Sequence, residues 1–431
     1  MFNKRKITRA LIVCIIIKII LFCLVCTEPV RAEGNPSGDK GWQNRKIEIA
    51  NIGETGGQST NSADSREIED RIIEEQMKGD EIFQIKKNLE KYSDNEIYKI
   101  LPEYDPDKIL QDAVRGRFDP GLPGLVQRIM NFLFKEIYIN LNIMAKLLVL
   151  TVFCAILGNL KTSFLSDSVG ELGFYACYTV IVSILIIGFN TALTMVRETI
   201  DSMVAFMHST VPVLVTLLVS SGNIASGGVF QPVLIMAVEI CATILKNFFV
   251  PLIFLTAVLA ITNNITSRFQ VSRLVGMLKS ICIWCLGIIL TVFAALTVVY
   301  GSMGAVVDGV TGKTAKLAIG FIPVAGKYLA DAAEAVVSCT LLIKNAAGLA
   351  VMAGIIAICL VPVLKILALT VIYKFVGALI EPLTENRISN CVSEMAGLLS
   401  HLMAIVVSVA VMFLISTTAI ISAGNISTMI R

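Results

Sequence analysis

Apolar positions are distributed along the chain in two regimes. From residue 33 to about residue 120 they are sparse and recur at helical spacing, and from Met144 onward they run almost without interruption. In the first regime Ile68, Ile72, Ile73 and Met77 fall on one helical face, and Ile82, Ile85 and Leu89 on another. Ser93 and Glu96 form a capping box before a short helix. Asp105-Pro106 opens a further helix with Ile109, Leu110, Ala113 and Val114 inward, and Gly116 ends it. Leu122, Leu125, Val126, Ile129, Leu133 and Ile137 share one face, with Gln127, Arg128, Lys135 and Glu136 elsewhere. That pattern fits an amphipathic helix lying in the membrane interface, and equally an ordinary packed helix.

The second regime predicts membrane spans near residues 144–160, 172–193, 204–219, 229–246, 250–262, 281–300, 346–372 and 398–422. Several are shorter than the roughly 20 residues a bilayer needs. The fourth and fifth are separated only by Asn247 to Phe249, and Pro362 splits the seventh. Seven or eight spans are therefore expected. The predicted fold class is all-α: a polytopic helical membrane protein with an N-terminal signal peptide and a small, partly disordered helical extracytoplasmic region. In this reading 1–32 is the signal peptide, 33–63 a disordered linker, 64–121 short extracytoplasmic helices and 122–140 the amphipathic interfacial helix. Residues 141–431 form the membrane domain, with a glycine-rich segment at 301–345.

Composition agrees with this division. The 431 residues are 55% hydrophobic and 16% charged, against roughly 45–50% apolar and about 25% charged in soluble domains. A net charge of +3 without a basic stripe gives no basis for nucleic-acid binding. Lys4, Arg5, Lys6 and Arg9 precede an apolar core, and Val30-Arg31-Ala32 offers a cleavage site, although Lys18 interrupts the core. An uncleaved first span is the alternative, and both place Glu33 across the membrane. Segment 33–63 is rich in Gly, Ser, Asn and Gln and reads as a linker. Of eleven cysteines none lies between Glu33 and Phe153, so no disulfide framework is expected in the exported part. Cys282 and Cys285 have redox-motif spacing but sit inside an apolar run, where cysteine acts as a small hydrophobe. Residues 263–279 carry Arg268, Arg273 and Lys279 and no acid, which marks them as cytoplasmic. Counting spans back from there puts residues 33–140 outside, in agreement with the signal.

Candidate chemistry is sparse. Gly312-Lys313-Thr314 resembles the tail of a phosphate-binding loop, but Val307 stands where that loop needs glycine and no strand precedes it. No nucleotide or other cofactor is expected. Gly301, Gly304, Gly309, Gly312, Gly320 and Gly326 are candidate helix-seam glycines, since small residues let helices approach closely in a membrane. Residues 306–337 then read as re-entrant or interfacial helices along a protein seam or an aqueous path, or as a plain loop with two short helices. Prolines inside spans, at Pro212, Pro232 and Pro362, and Gly222, Gly227 and Gly228 between spans predict broken helices, a feature of transporters and channels. Charges inside spans are expensive. Glu239, Lys365, His208 and Gln231 are therefore the candidate intramembrane pathway residues, with Asn190 a further polar one and a Glu239–Lys365 pair across helices expected. The competing reading of each is a structural hydrogen bond. The two histidines, His208 and His401, give no zinc spacing, and no nucleophile elbow is present, so an enzyme is not expected.

Three passages, His208 to Leu234, Asn263 to Ser280 and Gly309 to Gly348, resemble the stage III sporulation protein AE family, as does the order of signal, variable polar region and polytopic core from Leu122 on. The resemblance implies a role in endospore formation, in the mother-cell membrane around the engulfed forespore. It implies a secretion-like, channel-forming complex with ring-forming partner subunits and a partner ATPase, and it leaves homo-oligomerisation open. A stand-alone secondary transporter and a non-conducting assembly scaffold are the rival readings.

Overall fold

The computed structural model describes residues 71–92, 96–101, 104–115, 122–163, 167–265, 271–320, 326–383 and 386–430. The signal-peptide and linker readings, and Ser93 of the capping box, lie outside them. The chain divides into two units, Met1–Met77 and Lys78–Arg431. Of the first only residues 71–77 are described, and they are helical.

The second unit is all helix among the described residues. Three short helices come first: α1 (Asp80–Tyr92), α2 (Ile97–Ile100) and α3 (Pro106–Val114). Ile82, Ile85 and Leu89 of α1 are buried, as their spacing predicts. At α3 the Asp105 side chain accepts from the Asp107 N–H at 3.0 Å with Pro106 in the first turn, which satisfies a donor that a helix start otherwise leaves open. Lys86 of α1 forms an ion pair with Asp107 of α3.

α4 (Leu122–Ile139) and α5 (Leu141–Ser163) follow, bent by 45° where they meet. The pattern set Val126 on the apolar face of α4 and Glu136 off it. Val126 is 60% exposed, in a row with Met130, Phe134 and Tyr138, and Glu136 is buried. Both sides of the helix are apolar enough to pack, and the neighbours decide which side does.

Five longer elements make the bundle. They are α6 (Asp167–Ser220), α7 (Ile224–Ile244) continuing through one π turn (Leu245–Phe249) into α8 (Val250–Ile265), α9 (Ser272–Gly320), α10 (Gly326–Ile380) and α11 (Asn386–Ile430). Five of these rods are long and apolar enough to cross a membrane, or six crossings if the bent α4–α5 pair is one span. By length and composition these rods are fewer than the seven or eight spans expected. Residues 172–193 and 204–219 belong to one helix, and 229–246 and 250–262 to one rod. Pro212, Pro232 and Pro362 lie inside helices without ending them. The glycine-rich segment is helical in its described residues, as extensions of α9 and α10.

Contacts fix the directions. α6 runs antiparallel to the α7–α8 rod: Tyr178 Oη donates to the Ile261 carbonyl at 3.0 Å, and a Cβ on Gly227 would collide with Val219. α10 also runs antiparallel to α6, with Tyr373 Oη 3.4 Å from the Leu185 carbonyl and closing over Gly188. α11 is the most buried of the five and α9 the least. α6 has 54 residues, about 80 Å of helix at ~1.5 Å per residue, whereas a hydrocarbon core is about 30 Å thick. We call the part of the bundle level with α6 up to Leu193 its lower half, and the part level with Met203 to Ser220 its upper half.

Candidate functional site

α6 and α7 meet in a tight turn. Gly222 has a φ of 82°, a left-handed conformation that glycine adopts without a Cβ clash. Ser221 and Asn223 are fully buried, and Asn223 Nδ2 donates to Ser221 Oγ at 2.8 Å. The glycine-rich stretch read as a flexible break is thus a closed turn.

The start of α7 is held from another helix. Asp308 of α9 is 4% exposed. Its two oxygens accept from the Ala225 N–H at 2.8 Å and the Ser226 N–H at 2.7 Å. A carboxylate there satisfies orphan donors and complements the positive end of the helix dipole. Residues around Gly312-Lys313-Thr314 lie in continuous helix, which has no turn in which to cradle a phosphate. Gly309 is buried next to Asp308.

Two ion pairs link α6 to the α7–α8 rod. His208 Nε2 donates to Glu239 Oε2 at 2.6 Å, and Lys246 Nζ reaches both carboxylate oxygens of Asp201 at 2.6 Å. They are one heptad apart on each strand of the hairpin, about 10 Å along the axis. Neither is buried: the side chains are 42% and 55% exposed in the first pair and 34% and 56% in the second. The small crevice next to His208 is otherwise lined by Met207, Val211, Leu234, Ile235 and Val238.

The expected Glu239–Lys365 pair does not form. Lys365 Nζ of α10 instead meets Glu96 Oε2 at 2.5 Å, just before α2. α6 packs against both α7 and α10, and each charge finds its partner on its own side. Of the other candidates, Gln231 occupies a helical position in α7, but its side chain lies outside the described residues. Asn190 is exposed on α6. Gly301, Gly304, Gly312 and Gly320 are helical positions of α9, and Gly326 begins α10. Their surroundings lie outside the described residues.

Sequence reasoning missed three groups. Asp201 looked like part of a loop. Asp308 was passed over inside the phosphate-loop question. Lys344 is fully buried, with Nζ donating to the Ile421 carbonyl at 2.9 Å, next to Asn345 Nδ2 donating to Asn425 Oδ1 at 3.3 Å. A lone Lys-Asn pair at the head of a long apolar run was the available signal.

An all-helical bundle with five rods of membrane-spanning character, tied by ion pairs and helix-capping carboxylates, defines a multi-pass membrane protein. Its membership is specific. The family model "Stage III sporulation protein AE (spore_III_AE)" matches residues 104–424, and the chain belongs to this sporulation family. The stage III sporulation protein AE of Bacillus subtilis (strain 168) is 32% identical over 333 residues, 77% of this chain and 83% of that protein. No solved structure matches the chain. The matched residues take in α3 to α11, while α1 and α2 precede them.

Proposed function

We propose that this chain is the membrane subunit of a multi-protein channel or secretion-like complex between mother cell and forespore, required for endospore formation. It has no enzymatic activity of its own and draws energy from a partner ATPase, with ring-forming subunits as further partners. It sits in the mother-cell membrane around the forespore, with residues 33–140 on the extracytoplasmic side.

Family membership supports the sporulation role. The observation that carries the rest is the pair of half-exposed ion pairs on the α6–α7 hairpin. Charges on membrane helices are costly against lipid and persist where they face protein or water. A subunit surrounded by lipid over its whole length would not present Glu239 and Asp201 this way. One within a complex, or along an aqueous path, does.

The test is Glu239→Gln, which keeps the side-chain shape and removes the charge. The heat-resistant spore count is expected to fall at least tenfold while the amount of protein in the membrane is unchanged. Normal sporulation with Glu239→Gln overturns the assignment of a working role to this pair.

A further inference from the structure

Two of the rods are weakened at the same level. In the α7–α8 rod the α-helical ladder gives way to the π turn Leu245–Phe249, and Pro251 follows at the start of α8. Proline has no N–H and crowds the turn before it, and a wide turn lets the rod continue past it. In α10 Pro362 removes a rung from the ladder. Wide turns and prolines are the usual places where a long helix bends.

The levels follow from contacts with α6, which packs against both rods. Lys246, inside the π turn, meets Asp201. Gly188 lies against Leu369 and Tyr373, and Gly354 against Phe206. Counting between those contacts at ~1.5 Å per residue on both helices brings Pro362 beside Glu198. Both breaks therefore fall between the lower and upper halves, where α6 carries Arg197, Glu198 and Asp201. At this level α6, α9 and α11 run on as α-helix without proline.

Each break is spanned by a neighbouring element and tied to it by an ion pair. α6 grips the α7–α8 rod above the π turn through His208–Glu239 and below it through Tyr178 and the Ile261 carbonyl. At the turn itself Lys246 reaches Asp201 at 2.6 Å. The short helices grip α10 above Pro362, where Leu89 closes over Gly354. Just below Pro362 they grip it again, where Glu96 meets Lys365 at 2.5 Å. The side chains of both pairs are partly exposed. Such pairs hold weakly, enough to bias an equilibrium between two shapes without fixing it.

We infer that the α7–α8 rod and α10 are hinged at this common level, and that the Asp201–Lys246 and Glu96–Lys365 pairs are latches that hold them straight. Opening a latch lets the upper segment of its rod swing against α6, α9 and α11. A few residues that absorb the change, between segments that stay rigid, are what a hinge requires. The inference does not rest on the proposed role in a complex, and its test needs no sporulation.

The experiment measures distances between pairs of spin labels in the full-length chain, reconstituted in lipid nanodiscs. Labels carried on p-acetylphenylalanine leave the native cysteines in place. The pairs are Ile240 with Phe254 across the π turn, Ile356 with Val371 across Pro362, and Trp284 with Val298 on unbroken α9, all at exposed positions. Each pair spans about 21–23 Å of straight helix. The α9 pair is expected to give one narrow distance, and the two broken rods distributions at least about twofold wider. Lys246→Met should widen the 240–254 distribution further and leave the other two unchanged. Lys365→Met should do so for 356–371 alone. Exchanging the charges, Asp201→Lys with Lys246→Asp, should narrow 240–254 again, which separates an opened latch from a misfolded chain. Equal widths in all three rods overturn the hinges. Widths that neither lysine variant moves, or that all widen together, overturn the latches.

Discussion

Replacing Asp308 with alanine removes the only charged group that reaches the start of α7 across helices among the described residues. The wild-type carboxylate satisfies the Ala225 and Ser226 N–H groups at 2.8 and 2.7 Å, and Ser226 is fully buried. Each buried donor left open costs about 1–3 kcal/mol. Some relief comes from repacking of the turn, so Asp308→Ala is expected to lose about 2–4 kcal/mol. Asp308→Asn keeps one acceptor oxygen and loses the charge, and is expected to lose about half as much. For a chain of this size 1 kcal/mol moves the midpoint by about 1 °C. Thermal unfolding of the purified protein in detergent, followed by helical circular dichroism, should show midpoints about 2–4 °C lower for Asp308→Ala and about 1–2 °C lower for Asp308→Asn. Identical midpoints for all three proteins would refute the capping argument, and a larger loss in the asparagine variant would reverse it.

Two further predictions concern packing seams. Gly188→Ala puts a Cβ against the Tyr373 hydroxyl and should cost about 1–3 kcal/mol by overpacking, while adding Tyr373→Phe restores most of the midpoint; no rescue in the double variant counts against this contact. Glu96→Lys should loosen α1–α3, read as faster limited proteolysis of that region, and Lys365→Glu in the same chain should restore protection; the pair is partly exposed, so its contribution is held to about 1 kcal/mol.

Much of this architecture was legible in the residues. The inward set Ile82, Ile85 and Leu89, the Asp105-Pro106 helix start and the all-helical membrane class followed from spacing and composition. The span count did not. A run of about 20 apolar residues bounded by charges reads as a crossing followed by a loop. Here Arg197, Glu198 and Asp201 stay in helix because the charged groups lie on its outer surface and Lys246 answers one of them. Pro362 likewise ends nothing, since neighbouring helices can shelter the carbonyl it frees. Glu239 and Lys365 were both singled out, yet their partners depend on which helix α6 separates from which, and periodicity carries no such information. Asp308 lies in the passage singled out for its small and polar residues, but the helix end it serves lies some 80 positions earlier in the chain.

The merging of short spans into long rods has a consequence for sidedness. Between residues 263–279 and residue 140, the eight-span reading makes five crossings. The rods make three where the bent α4–α5 pair is one crossing, with α6 and the α7–α8 rod, and two where it is not. Joining two short spans into one longer helix, once on each arm of the α6–α7 hairpin, removes crossings two at a time. Where the α4–α5 pair crosses, the parity of the eight-span reading is kept; where it does not, the parity flips. Which membrane face α1–α3 occupy thus turns on the one bent pair, and not on whether each arm of the α6–α7 hairpin is drawn as one span or two.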